Sequence, residues 1–452
     1  MKHMRHMKPG SRRAVWSRRI GKINLALVAL FTVTTVLTGF LYFADGNVQA
    51  DHTERSGWAL LLLSIVLLCL AVAAALIKPY LFTARRCALM ATAMSVIFAL
   101  GIGAVWQIVA HDKATDTIVG QDVDTPKATD AYMNKTFPGV KLRYIPTGVF
   151  IQGAKFTEPQ EVEVSGYVWQ RYSKDVPESS MGVVFPEAPD GYGDSQTEAY
   201  DTTNTDGERL KGWHFNLTLR QHFNYSKYPL DKQNIWLRMW TAATFTNDVL
   251  VPDYASYPPW MNDSAIGLDE EIVTTGWNPY FTAWSFKQHG VSSTMGVQDF
   301  DKPFKNAPEL YFNLGMERNW AGPLFGKLLQ SLFIAAIMFL ALFVYTKDDN
   351  KNPRFGFSTW TAISFAVSLL LVVVVDQTQI REIAGDTSLT YLEYFAIAQY
   401  IVIMGIFANA ILLGSDTEIR VLEWKDNLLP TLLYWPVLIG LFFVFTLLVF
   451  AA

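Results

Sequence analysis

The residues of this chain that could do chemistry are few, and they do not converge. Its seven histidines stand singly as His3, His6, His52, His111, His214, His222 and His289. The two cysteines, Cys69 and Cys87, lie in or beside apolar runs. Neither a metal-ligand spacing nor a disulfide framework follows from them. There is no Ser/His/Asp arrangement, no glycine-rich phosphate loop and no His-Glu-x-x-His helix. The sequence therefore reads as a non-enzyme without a cofactor. Glu270 and Glu271 read as a solvated acidic pair. The stretch DGYGDSQTEAYDTTNTDG (190–207) lacks the twelve-residue carboxylate spacing of a calcium loop and reads as a solvated loop.

Two groups of residues remain, both placed where polarity or its absence is costly. The first is YSKYPLDKQNIWLRMW (225–240), a strand-like run interrupted by Tyr228-Pro229-Leu230-Asp231. Proline stops a strand. Burying the apolar tip gains about 1.5–3 kcal/mol per large side chain. Asp231 beside it calls for a cation, and Arg318 is the candidate. The second group is Ser358, Thr361, Ser364 and Ser368, spaced by threes and fours within an apolar run, so that they share one helical face. Leu371, Val372 and Val375 continue that face as an apolar band. Intramembrane hydroxyls face a helix or water, not lipid. The stripe is either a helix-packing seam or the wall of a pore whose apolar band blocks ions when narrow.

The elements that must position these groups are membrane spans and strands. The chain has 452 residues, 51% of them hydrophobic, with a net charge of −4, a balance that argues against a nucleic-acid partner. Apolar runs at 23–44, 58–77, 87–110, 324–345, 357–375, 391–413 and 428–450 reach or approach the ~20 residues that cross a bilayer. Residues 1–22 carry Lys2, Arg5, Lys8, Arg12, Arg13, Arg18, Arg19 and Lys22 and no acid. The excess of basic residues in this segment, at Lys78, Arg85 and Arg86, and at 347–354 sets these loops inside. Residues 111–320 are then outside. A multi-pass protein of a bacterial inner membrane is expected, embedded in lipid, with a cytoplasmic N-terminus and a periplasmic segment between the third and fourth spans.

That segment opens with a polar linker at 111–131. From 132 to 320 it alternates short apolar and polar runs between turns. GVFIQGAKF and EVEVSGYVWQRY flank a turn at 157–160; GWHFNLTLRQHF, NIWLRMW, EEIVTTGW, YFTAWSFKQ and ELYFNLGMERNW follow. No long amphipathic helix is evident, so an antiparallel β-sandwich is expected. The fold class is mixed: a three-helix N-terminal membrane domain (1–110), the linker, the sandwich, and a four-helix membrane domain (321–452).

Tyr228-Pro229-Leu230-Asp231-Lys232-Gln233 resembles the aromatic-Pro-hydrophobe-Asp-x-Gln turn of the pentameric ligand-gated ion channels, the superfamily of the Cys-loop receptors. Its bacterial members dispense with the disulfide that closes the turn in animal receptors. The resemblance runs from about residue 139 to the C-terminus. It takes in Met316-Glu317-Arg318-Asn319, which leads directly into a span with three more spans after it. The first three spans have no counterpart in the common four-span subunits. The resemblance implies a homopentamer gated by a small-molecule ligand or a proton and passing inorganic ions. Tyr228, Pro229, Leu230, Asp231, Gln233, Arg318 and Arg381 would couple the sandwich to the helices. The span at 357–375 would line the pore through Thr361, Ser364, Ser368, Leu371 and Val375. The family's own register would instead place Gly356, Trp360, Ile363 and Val367 on the pore. Where cation channels of the family carry a Glu at the inner mouth, this chain has Asn352-Pro353. Glu393, the lone acid of its span, has Arg381 and Arg318 as candidate partners, or else sits at the membrane interface.

The resemblance also implies a ligand site between neighbouring sandwiches, with Tyr167, Trp169, Phe185, Glu187 and Trp240 as its residues here. Aromatics in such a cage suit a cationic amine, but aromatics in a sandwich also build its core. The alternative to a channel is a non-conducting membrane receptor or sensor of the same fold.

Overall fold

The computed structural model describes residues 9–44, 55–111, 118–123, 125–188, 195–205, 207–242, 248–257, 266–288, 308–344, 359–385, 389–414 and 427–451. The chain divides into two compact units. One comprises Met1–Asp112, Ser226–Tyr228 and Gly322–Ala452; the other comprises Lys113–Tyr225 and Pro229–Ala321.

The first unit is helical. Its long helices are α1 (Pro9–Ala44), α2 (Arg55–Ile77) and α3 (Ala84–His111) near the N-terminus, and a later set of four. The later set is α5 (Ala321–Val344), α6 (Thr359–Ala384), α7 (Tyr391–Gly414) and α8 (Leu428–Ala451), numbered after a short α4 in the other unit. Among the described residues, seven helices are long and apolar enough to cross a membrane, the mark of a membrane protein. The core of the later four gathers Ile334 and Met338 of α5, Leu369 and Val373 of α6, Val402 and Ile406 of α7, and Leu438 of α8. Buried polar side chains there bond backbone carbonyls of neighbouring helices. Tyr434 Oη donates to Ala335 O at 2.8 Å, Gln399 Nε2 to Ser331 O at 3.2 Å and Asn427 Nδ2 to Leu342 O at 3.1 Å.

The N-terminal helices join this core through α3. Phe443 of α8 lies where Gly101 of α3 has no side chain; a Cβ on Gly101 would come within 2.7 Å of its ring. Phe98 of α3 in turn covers Gly440, and the Phe98 and Phe443 rings stack at 5.6 Å. Trp106 Nε1 donates to Tyr391 Oη at 2.9 Å, and Tyr391 Oη lies 2.8 Å from Thr446 Oγ1, linking α3, α7 and α8.

Helix α6 continues past the apolar run that ends at Val375, to Ala384. Asp376 there pairs with Lys327 of α5, and Arg381 Nε meets Glu393 Oε1 at 2.8 Å. At the start of α7 a capping box forms. Thr390 N donates to Glu393 Oε2 at 2.7 Å, and Glu393 N reaches back to Thr390 Oγ1 at 3.4 Å.

The second unit carries two sheets. The strands are β1 (Gln121–Asp122), β2 (Arg143–Glu158), β3 (Glu161–Tyr172), β4 (Val183–Val184), β5 (Gln196–Thr203) and β6 (Arg209–Arg220), then β7 (Lys232–Thr241), β8 (Asp248–Pro252), β9 (Leu268–Thr274), β10 (Trp277–Gln288) and β11 (Pro308–Arg318). One sheet has the order β1-β10-β11-β7-β4; the other is β5-β6-β3-β2-β8, with β9 also on β2. Period-two patterning sets the register. In β3, Val162, Val164, Gly166, Val168, Gln170 and Tyr172 are buried, and the residues alternating with them are half-buried. The turn at 157–160 joins β2 and β3 with Phe156 opposite Val162.

Two features depart from the sequence reading. The six-stranded sheet is mixed, because β8 and β9 both run parallel to β2. Parallel neighbours need a long connection, and here the chain between them passes through β3 to β7. A helix, α4 (Pro126–Thr136), also stands partly in the stretch read as linker. Its start is a local signal: the Thr125 side chain caps Ala128 N at 3.2 Å, and Pro126 follows in the first turn. Tyr132 and Met133 bury its inner face, and Tyr132 stacks on Phe286 at 5.2 Å.

Candidate functional site

The turn before β7 is held by its own polar side chains. Gln233 Nε2 donates to Asn224 O at 2.8 Å and to Asp231 Oδ2 at 3.0 Å, and Asn224 N donates to Gln233 Oε1 at 3.2 Å. Gln221 bonds both the N–H and the carbonyl of Trp236. Glutamine side chains thus close this loop from both ends. Tyr228, Pro229 and Leu230 are buried. Asp231, 2% exposed, receives Arg318 Nε on Oδ1 at 2.7 Å and Arg318 Nη2 on Oδ2 at 3.0 Å, the bidentate geometry expected of a strong pair. The guanidinium lies 4.1 Å above the Trp277 ring and 5.9 Å from that of Tyr225. Trp277 stacks on Phe156 at 4.3 Å, and Phe156 meets Phe223 edge-on at 4.9 Å. Burial, with Asp231 close by, pushes the Tyr225 hydroxyl up to about 12. Asp231 therefore has the cation anticipated for it, seated on an aromatic stack. Arg381 belongs to the helical unit, where its partner is Glu393.

A second cluster lies on one face of β7 and β11. Alternation along β7 sets Trp236, Arg238 and Trp240 on the less buried side. Opposite them, the register of β11 brings Tyr311 and Glu309. Arg238 binds Glu309 through Nε at 2.6 Å and Nη2 at 2.8 Å, and Glu187 through Nη1 at 3.0 Å. Its guanidinium stands 4.8 Å from the Trp240 ring, whose Nε1 donates to Glu309 Oε1 at 2.7 Å. Tyr311 Oη completes the set on Glu309 Oε2 at 3.2 Å. Burial raises the Glu187 carboxyl above the ordinary range, against the pull of Arg238.

Of the five residues expected at a ligand site, the structure brings together Glu187 and Trp240. Phe185 is wholly buried and packs on Phe215 at 5.5 Å, so it is a core residue in the single chain. Tyr167 and Trp169 belong to the other sheet. Tyr167 meets His214 edge-on at 5.1 Å, and Trp169 Nε1 donates to Asp253 Oδ2 at 2.9 Å. Arg238, Glu309 and Tyr311 were not singled out in the sequence. The available signal was an arginine alternating with two tryptophans in one strand.

In α6, Ser364, Ser368, Leu371 and Val375 are exposed within the single chain, Leu371 at 62% and Val375 at 51%. The opposite side, with Leu369, Val373, Asp376, Ile380 and Ala384, is the one that packs. Ser368 Oγ donates to Ser364 O at 2.8 Å. Val367, of the alternative register, is exposed too. Ser358, Gly356 and the segment with Asn352 and Pro353 lie outside the described residues, as do the side chains of Trp360, Thr361 and Ile363. No protein-family model matches this sequence, and no curated protein matches it.

Proposed function

We propose that this chain is a subunit of a homopentameric ion channel gated by a ligand or a proton, similar in plan to the pentameric ligand-gated channels. The observation that carries the reading is the Asp231–Arg318 pair. It joins the Tyr-Pro-Leu-Asp turn to the end of β11, and α5 begins three residues further on, at Ala321. A shift of the turn is thereby transmitted to the strand that enters the first channel helix, with Tyr228, Pro229, Leu230 and Gln233 shaping the turn. In this reading the two sheets form a periplasmic β-sandwich, α1 begins in the cytoplasm, and α5 to α8 are the channel helices of an inner-membrane protein. The uncovered face of α6 lines the pore, through Thr361, Ser364 and Ser368 and then the apolar band of Leu371 and Val375. The Glu187–Arg238–Glu309 cluster with Trp240 is the candidate site for the small-molecule ligand or proton.

The test is the mass of the solubilised particle followed by conductance in liposomes. Five copies per particle and a resting leak raised by Val375→Ser are the expected results, since a hydroxyl wets an apolar constriction. A monomer or dimer under gentle extraction leaves no shared pore. That outcome would favour a non-conducting receptor of the same fold.

A further inference from the structure

We propose that the turn between α2 and α3 binds the headgroup phosphate of an anionic phospholipid, through Lys78, Arg85 and Arg86. The site requires no pore, and it lies on the three helices that have no counterpart in the common four-span subunits. Helices α1, α2 and α3 contain no Asp or Glu, so the basic residues at this end find no carboxylate within them. Lys78 and Arg85 are exposed. Arg86 is half-buried, and its Nη1 is wholly buried with no hydrogen-bond partner among the described residues. A guanidinium nitrogen left so at the end of a span is costly unless an anion completes it.

The turn supplies the apolar half of the site. Pro79–Leu81 form a single 3₁₀ turn, flanked by Lys78 and Phe82. Both flanking residues are left-handed, at φ 53° and 52°, a conformation uncommon outside glycine. The turn is held from both sides. A Cβ on Gly21 of α1 would stand 3.3 Å from Tyr80 Oη, and Cys87 Sγ of α3 donates to Pro79 O at 3.8 Å. Lys22, exposed and next to Gly21, adds a cation on the α1 side. Leu81 and Phe82 are 43% and 68% exposed. Apolar side chains beside lysine and arginine at the end of a span suit the boundary between acyl chains and headgroups. In the proposed orientation this is the cytoplasmic leaflet, whose anionic lipids attract basic residues. A free phosphate would use the cations alone; a phospholipid uses Leu81 and Phe82 as well.

The experiment is native mass spectrometry of the full chain in a non-ionic detergent, titrated with phosphatidylglycerol, phosphatidylcholine or inorganic phosphate. Phosphatidylglycerol should bind more tightly than phosphatidylcholine, and raising the ammonium acetate concentration should narrow the difference. Lys78→Asn and Arg86→Gln should each weaken phosphatidylglycerol by about fivefold, the worth of one charge at an anionic surface, and leave phosphatidylcholine unchanged. Asparagine tolerates the left-handed backbone at 78 and at 82. Phe82→Asn should weaken both lipids. If a charge variant does not fold, Arg85→Gln and the salt dependence of the unaltered chain carry the same test. Equal affinity for the two phospholipids, or a preference that no charge variant moves, overturns the site. Displacement of phosphatidylglycerol by inorganic phosphate, with Phe82→Asn without effect, would assign the cations to a free anion and overturn the lipid.

Discussion

Asp231 has both carboxylate oxygens taken by Arg318 and a further bond from Gln233. Removing one member of a buried ion pair leaves the other charge uncompensated, at a cost of about 3–5 kcal/mol. Asp231→Asn keeps the shape but loses the charge, so Arg318 would keep the Trp277 and Tyr225 rings but lose its charged partner. The purified protein should melt at a lower temperature, and Arg318→Met in the same chain should recover part of that loss. A double variant that is no better than Asp231→Asn alone would show that the pair acts through shape and not through charge. The same residue-scale logic explains Arg238. Its guanidinium occupies the Trp240 face that an incoming cationic amine would need, so such a ligand would have to displace a side chain already bonded to Glu187 and Glu309.

At the scale of elements, the seam between α3 and α8 is built from absent side chains. Gly101 accepts Phe443, and Gly440 lies under Phe98. Small residues at a helix crossing let backbones approach within the membrane, where packing and hydrogen bonds must replace the hydrophobic drive. Gly101→Leu overfills the notch and should cost about 1–3 kcal/mol. Gly103, two residues away, has open space where a Cβ would stand, so Gly103→Leu is the control. A thermal scan in detergent should find the first variant less stable and the second near the parent. Equal midpoints for both would mean that the seam contributes little. The three N-terminal helices are attached by a shaped contact and by the Trp106–Tyr391–Thr446 hydrogen-bond chain.

For the whole molecule, the proposed orientation rests on the basic residues of 1–22 and on the helices apolar enough to cross a membrane. Protease added to spheroplasts should cut within the sheet-bearing unit, and protease added to inverted inner-membrane vesicles should spare it. Cleavage only in the inverted vesicles would reverse the proposed orientation and move the candidate ligand site to the cytoplasm.

Span positions, most strands and the turn with its Asp231–Arg318 pair were legible in the sequence, because each rests on a periodicity or on a buried charge that must find its opposite. The expected EVEVSGYVWQRY strand coincides with β3. Helix α4 was legible in principle from Thr125-Pro126, but eleven residues inside a polar stretch give little periodicity. The tertiary structure alone decided the rest. Parallel pairing of β8 and β9 with β2, the meeting of Arg238 with Glu309, the burial of Phe185 and the docking of α3 on α8 all join residues far apart in the chain. Local pattern tells a residue which face it occupies; it does not tell which distant face lies opposite. The pairing of Asp376 with Lys327 of α5 and of Arg381 with Glu393 of α7 shows the same limit, since each joins residues of different helices.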